Sequence, residues 1–290
     1  MSRSALFSVA LLCAIALYTG NARATTSLLQ AIKTKQVSMN AVKNIESYHG
    51  KGLDLHLKNN TSKTISISID PAMIFKPADS GYQDLVIIND EVVVLKAGEE
   101  QTIAAQSFCA KSYARAPAYH LQYNFWKQGD TLMVKLLRYI VANKVNTSLA
   151  QDAVWVLTNG HALENIYLPG NDTESFKLAA FMTVLLHKPK PVFFTYHELI
   201  ETPEAIPYNP RPLKMLANFE YISTSDQVLT LGVYNEDGST AELVFEDKRF
   251  ERGGHRFRVE FEAADVPAGN YYIRLTSYGK VLKEQKVKID

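Results

Sequence analysis

Two short segments carry the residue types that could do chemistry, SFCAK at residues 107–111 and AQDAVW at residues 150–155. Cys109 is the only cysteine after the N-terminal apolar run, and a thiolate is a nucleophile that a neighbouring group can activate. The second segment lies in a stretch that predicts a helix, which places Gln151 and Trp155 on one helix face. Ordinary packing is the alternative, because cysteine is among the most buried residue types.

Together these segments resemble the thioester domains of bacterial surface adhesins. That family joins a Cys that follows an aromatic residue to a Gln in a Thr-Gln-x-Ala-Ile/Val-Trp motif. This chain has Phe108 before Cys109, and it has Gln151-x-Ala-Val-Trp with Ala150 in place of the Thr. The resemblance implies that a buried Cys109 thiolate displaces ammonia from the Gln151 amide and leaves an acyl–sulfur bond that an incoming amine can attack. That chemistry requires a thiol on a strand to face a glutamine on a helix.

The N-terminus predicts export. Residues 1–24 combine a basic start, a short apolar run and a small-residue A-x-A site, which is typical of a cleaved secretory signal, with the mature chain beginning at Thr25. No later apolar run approaches the roughly 20 residues that cross a bilayer, so we expect no transmembrane segment after signal removal. The expected location is outside the cell or on the surface of a Gram-negative bacterium, and the periplasm is the alternative.

Charge and motifs exclude several functions. The chain carries 31 Lys and Arg against 30 Asp and Glu, and this balance argues against nucleic acid as a partner. The seven histidines show no metal-binding spacing, and no phosphate loop, dinucleotide fingerprint or G-x-S-x-G motif occurs, so we predict no metal and no cofactor. These observations favour a non-enzymatic protein, although a secreted hydrolase with no recognisable motif stays an alternative.

Apolar periodicity predicts a mainly β fold with α additions. Residues 25–187 begin with alternating segments such as LDLHL and TISISI, separated by turns, and we predict an Ig-like β-sandwich for them. Helical spacing then predicts helices over 131–145, 149–158 and 173–187, which we expect to cover one end of that domain.

Residues 188–217 are rich in proline and predict an extended connector. Phe193, Phe194 and Tyr196 lie in it. These rings could form an aromatic surface for an unknown protein or glycan ligand, or they could pack the connector onto a neighbouring domain.

Residues 218–290 return to short alternating strands, which predicts a second Ig-like β-sandwich. The segments VYNEDGS, VEFEAADVPAGNYYIRL and GKVLKEQKVKID resemble the C-terminal sorting domain of type IX secretion substrates. In the turn, Pro267 fixes one backbone angle, Gly269 can adopt a positive φ, and Tyr271 begins the strand that follows. The resemblance implies that this domain contacts secretion machinery or cell-surface components, and a purely structural Ig-like domain is the alternative. The chain is thus predicted to be an exported binding or cell-surface protein with a C-terminal sorting or attachment domain.

Overall fold

The computed structural model describes residues 25–44, 49–200, 202 and 205–289, so the predicted signal peptide at 1–24 lies outside the described residues. Strands make up 47% of the structure and helices 20%, which confirms the prediction of a mainly β fold with α additions. A barrel, a layer of helices and a sandwich follow one another along the chain.

The N-terminal part is built on a closed antiparallel barrel of six strands. In order around the barrel they are β2 (Val37–Lys43), β3 (His49–Asn59), β8 (Glu100–Cys109), β6 (Leu85–Ile87), β5 (Met73–Pro77) and β9 (Gln122–Gln128). The closing strand is β9, because it pairs with both β5 and β2. The predicted β-sandwich is therefore a barrel. The alternation of apolar residues is the same in both folds, so it does not reveal which distant strand β9 will join.

A small sheet and a short helix complete the barrel domain. The sheet consists of β1 (Thr25–Ser27), β4 (Ile65–Ile69) and β7 (Glu91–Leu95), and the helix is α1 (Leu28–Lys33). One apolar core joins them to the barrel, with Leu55 and Phe75 from the barrel packed in the same cluster as Ile67 and Leu95. Side chains alternate along each strand, so the residues next to these core positions point away from this core.

Three helices form a layer against the outer wall of the barrel. They are α2 (Thr131–Asn143), α3 (Thr147–Asn159) and α4 (Asp172–Leu186), joined in part by a short 3-10 helix at Leu163–Asn165. The three predicted helices are confirmed. The Asp130 side chain caps α2 by accepting a hydrogen bond from the Met133 amide, and Asn146 caps α3 in the same way.

The helical layer packs on two sides. Ile74 and Val86 contact it from the barrel wall, and Phe194 and Leu216 contact it from the C-terminal part of the chain. The central helix, α3, is buried over most of its length, which explains why its sequence shows little polar surface. The helices thus pack on the wall of the barrel and also join it to the C-terminal sandwich.

The C-terminal part is a sandwich of two antiparallel sheets. One sheet contains β10 (Phe193–Tyr196), β11 (Lys214–Ser223) and β14 (Gly253–Glu262), and the other contains β13 (Thr240–Phe250), β12 (Gln227–Asn235), β15 (Gly269–Ser277) and β16 (Lys280–Ile289). Phe219, Leu231 and Ile273 are among the side chains that fill the space between the sheets. This arrangement of three and four strands is Ig-like, as predicted.

Two details of the C-terminal part differ from the predictions. The predicted connector at 188–217 contains β10, an edge strand that pairs with β11, and prolines are tolerated beside an edge strand. Gly269 does not adopt a positive φ but begins β15. The turn is instead held by Tyr271, whose hydroxyl donates a 2.8 Å hydrogen bond to the Pro267 carbonyl, as in the tyrosine corner of Ig-like folds.

Candidate functional site

Cys109 and Gln151, 42 residues apart in the chain, are in contact inside the protein. The amide nitrogen of the Gln151 side chain donates to the Cys109 carbonyl at 2.8 Å, and the Cys109 backbone N–H donates to Gln151 Oε1 at 3.0 Å. Both residues are 0% exposed. The end of β8 and the helix α3 therefore meet at these two residues, through the main chain of Cys109 and the side chain of Gln151.

The local folds explain this contact. Cys109 is the last residue of β8, and its side chain belongs to the barrel core while the preceding Phe108 packs outward against the helices. Gln151 lies in the second turn of α3, and Trp155, one turn later, reaches the same barrel core and is 0% exposed. The spacing of four residues places Gln151 and Trp155 side by side over one end of the barrel.

A lysine shares this buried site. Lys43 is the last residue of β2, it is 0% exposed, and its Nζ is buried without a hydrogen-bond partner among the described residues. Burial lowers the pKa of Lys43 to about 8, and the Cys109 sulfur acts in the opposite direction. Burial also raises the pKa of the Cys109 thiol, and Lys43 partly offsets that rise. The amine and the thiol therefore interact electrostatically inside the barrel.

Further polar groups surround the pair. The hydroxyl of Tyr123, on β9, donates to the Gln83 carbonyl at 3.0 Å, and burial raises the pKa of this hydroxyl. In the described part of the chain, further buried polar atoms without a hydrogen-bond partner belong to residues of the same region: Asn44 Oδ1, Gln83 Nε2, Ser107 Oγ, Trp155 Nε1 and His161 Nδ1. Native proteins pair the great majority of such atoms, so this concentration sets the site apart from ordinary core packing.

Sequence reasoning missed Lys43, Gln83 and Tyr123. Lys43 has a sequence signal, because Val37, Ala41 and Lys43 are separated by even numbers of residues and so share the inward face of β2. A charged residue on the buried face of a strand is a candidate for function.

A groove lies beside the site. It has a volume of about 810 Å³, and its lining includes Ala110 and Lys111, which follow Cys109 directly. Trp126 lies in the groove with Lys76 Nζ 3.8 Å and Lys127 Nζ 4.2 Å from its ring centre. The groove thus brings solvent close to the strand that carries the thiol.

The aromatic residues of the predicted connector do not form one ligand surface. Phe194 is buried against the helices, with its ring centre 5.0 Å from that of Phe176. Phe193 packs on the sandwich core instead, because adjacent residues of β10 point to opposite sides. Tyr196 packs on the helical core. The alternative expectation, that these rings attach the segment to neighbouring structure, agrees with their packing.

Among the residues that the structure describes, no three His, Cys, Asp or Glu side chains are grouped so as to hold a metal ion. In the same part of the chain, no helix has the length and apolar character needed to span a membrane.

Comparison with known proteins identifies no family. No protein-family model matches the chain, and no curated protein matches it. Among solved structures, the chain is similar to a β-glucosidase from Kluyveromyces marxianus, with 13% identity and a TM-score of 0.21 over 82% of this chain. The match covers 44% of the β-glucosidase, so the chain spans less than half of its length. A TM-score this low carries no argument about fold or activity.

Proposed function

We propose that the protein is a covalent surface adhesin in which Cys109 and Gln151 form an internal thioester. The observation that supports this proposal is the reciprocal pair of hydrogen bonds between the Gln151 amide and the Cys109 main chain. It holds a carboxamide against the residue that carries the thiol, and such positioning supplies a large part of the catalysis in reactions between bound groups.

The proposed reaction needs no atoms from outside the site until the target amine arrives. The Cys109 thiol loses its proton, the sulfur attacks Gln151 Cδ, the carbon–nitrogen bond breaks, and the nitrogen leaves as ammonia after it takes up a proton. An amine on a target then attacks the same carbon, the carbon–sulfur bond breaks, and an amide joins the target to Gln151. The Cys109 thiol is restored.

Burial suits such a bond. Both partners are fully covered, and a site that excludes water protects a reactive acyl group from hydrolysis. The groove borders Ala110, the residue that follows Cys109, and neither Cys109 nor Gln151 lines it. The target is an amine-bearing protein or glycan outside the cell, in line with the export predicted from residues 1–24.

Intact mass tests the proposal. Purified protein is expected to lack the mass of one ammonia, whereas Cys109→Ala and Gln151→Ala variants are expected to have their full calculated masses. Methylamine should add to the wild-type protein and release a thiol that a maleimide labels, and neither variant should take up methylamine. A wild-type mass without the ammonia loss, together with a free thiol in the denatured protein, would contradict the thioester.

A non-covalent binding protein is the second candidate. Both amide atoms of Gln151 are already satisfied by the Cys109 main chain, which suits a purely structural connection between β8 and α3. In that case Cys109→Ala should leave target binding unchanged.

For the C-terminal sandwich, we propose a role in sorting or attachment through secretion machinery or cell-surface components. The support is the sequence resemblance in the strands and turn around Tyr271. A deletion that begins at residue 218 would divide β11, so the test is better made by addition. A reporter that carries 1–24 before it and 188–290 after it should reach the medium of a type IX secreting bacterium. Retention of the folded reporter in the periplasm would contradict the sorting role.

A further inference from the structure

The buried amine of Lys43 requires an explanation that packing does not give. A lysine is almost never fully buried unless its charge is paired, because an unpaired ammonium is costly in an apolar core. Lys43 Nζ has no hydrogen-bond partner among the described residues, and its neighbours in the core include Ala41 and Leu53. A methionine or leucine would fill the same position at a lower cost, so the amine itself points to a function.

The strand pairings of the barrel locate this amine relative to the Cys109 thiol. Ala41, one inward position before Lys43, pairs with Tyr123 on β9, and Leu53, the cross-strand partner of Lys43, pairs with Ala105 on β8. The inward position of β8 that lies beyond Ala105 and Ser107 is Cys109. The pairing through β3 therefore places Lys43 and Cys109 at the same end of the barrel interior, and Tyr123 lies beside Lys43 on the other neighbouring strand.

We propose that Lys43 is the proton acceptor for the Cys109 thiol when the thioester forms, and this inference rests on the proposed function. The neutral amine takes the thiol proton as the sulfur attacks Gln151 Cδ. The resulting ammonium then returns that proton to the departing nitrogen, which leaves as ammonia. Lys43 ends as a neutral amine, so no proton has to come from water in a site that excludes it.

The electrostatics of the site fit this role. A thiol with a raised pKa needs a base close by, and an ammonium beside a new thiolate stabilises it strongly in a medium of low dielectric constant. A base works best when its pKa lies near the pH of the medium, and the pKa of Lys43, about 8, meets that condition. Tyr123 is less suited, because its hydroxyl donates to the Gln83 carbonyl.

The test uses the full exported chain and starts from the amide form. Treatment with ammonia restores the Gln151 amide and the free thiol, and removal of ammonia then starts the reaction, which intact mass follows with time. Lys43→Met removes the amine, and Lys43→Arg keeps a positive charge that does not act as a base. Lys58→Met is the matched control, because Lys58 is an exposed lysine on β3 that pairs with Glu100.

The wild-type protein and Lys58→Met should lose ammonia at the same rate. Lys43→Met and Lys43→Arg should be slower by about a hundredfold, the usual contribution of a positioned base, while circular dichroism shows the same fold. Equal rates in wild type and in a folded Lys43→Met variant would overturn the role of Lys43 and leave the thioester standing. A wild-type protein that never loses ammonia would overturn both.

The pH profile of the rate gives a second test. The rate should rise with pH and level off above about 8, where Lys43 becomes neutral. Other titratable groups lie around the site. Asp54 is on β3, Asp84 precedes β6, Cys109 is on β8, Tyr123 is on β9, Asp152 is on α3 and His161 is in the turn after α3. Burial moves the pKa of Cys109 and Tyr123 upward, away from 8, and lowers that of His161 to about 4. Burial also raises the pKa of Asp84 and raises that of Asp152 well above its usual range, so the profile is recorded for Lys43→Met as well, and the step near 8 should be absent from that variant. A rate that does not change between about pH 6 and pH 10 would contradict the inference.

Discussion

The side-chain amide of Gln151 binds the main chain of Cys109 through both of its polar atoms. Gln151 Nε2 donates to the Cys109 carbonyl at 2.8 Å, and the Cys109 N–H donates to Gln151 Oε1 at 3.0 Å. The pair joins the end of β8 to the second turn of α3, and so it fixes the helical layer on the barrel at the point where the thiol lies. The same contact could act as a structural connection or as the starting geometry of a thioester. The two roles differ in what happens to the amide nitrogen, and the stability of the noncovalent contact can be measured separately from the chemistry.

Removal of the Gln151 amide should destabilise the fold even when no thioester can form. In a Cys109→Ala background, Gln151→Ala leaves the N–H and C=O of residue 109 buried and unpaired, and we expect a loss of about 2–4 kcal/mol in the free energy of unfolding. Urea denaturation measures this change. Gln101→Ala, at an exposed position of the same strand, should change stability by less than about 0.5 kcal/mol. A loss for Gln151→Ala as small as that of the control would show that the contact does not hold the helix to the barrel.

Replacement of Lys43 should stabilise the protein. Because the pKa of Lys43 falls to about 8 in the folded state from 10.5, the unfolded chain binds more protons between these values, and the folded chain carries the full cost of the buried charge below pH 8. In the Cys109→Ala background we expect Lys43→Met to gain about 1–3 kcal/mol at pH 7. The gain should shrink as the pH rises from 8 toward 10.5.

Chemical denaturation at several pH values measures this gain. Lys58→Met, which removes an exposed lysine that pairs with Glu100, is the matched control. A Lys43→Met variant that is less stable than its parent at pH 7 would mean that the amine has a favourable partner in the folded protein.

The sequence predicts the helices because they depend on local signals, caps and helical spacing, whereas a short motif only marks Cys109 and Gln151 as candidates and leaves their contact to the fold. Lys43 was missed for the opposite reason. Its burial depends on β9, which begins 79 residues after the end of β2 and closes the barrel around it. Alternation along β2 shows which residues share a face but not which face is enclosed. The same limit explains why a barrel was predicted as a sandwich and why β10, a short edge strand, was included in the connector.

The tyrosine corner should stabilise the C-terminal sandwich. Tyr271→Phe removes the hydroxyl that donates to the Pro267 carbonyl, and we expect a loss of about 1 kcal/mol in the free energy of unfolding. Tyr272→Phe is the matched control, because the next residue points to the other face of β15. Equal effects of the two substitutions on urea unfolding would show that the bond to Pro267 contributes nothing.

His161 should make the protein sensitive to acid. Its Nε2 lies 2.9 Å from Ser112 Oγ, its Nδ1 is buried without a partner among the described residues, and its ring centre is 4.2 Å from that of Tyr208. Burial is the main cause that lowers the pKa of His161 from 6.5 to about 4, and His197 adds to it. Between these pH values the unfolded chain binds a proton that the folded chain does not, so stability falls as the pH drops from 6.5 toward 4.

His161→Gln should remove this loss. The variant and the wild type should respond alike above about pH 7, and at pH 4 the wild type should have lost about 1–2 kcal/mol more, a value reduced for the partial exposure of the ring. Urea unfolding at pH 7, 5 and 4 measures the difference. His56→Gln is the control, since His56 is an exposed histidine on β3 whose ring bonds to Thr102. If His161→Gln loses stability in acid as steeply as the wild type, another residue causes the acid sensitivity.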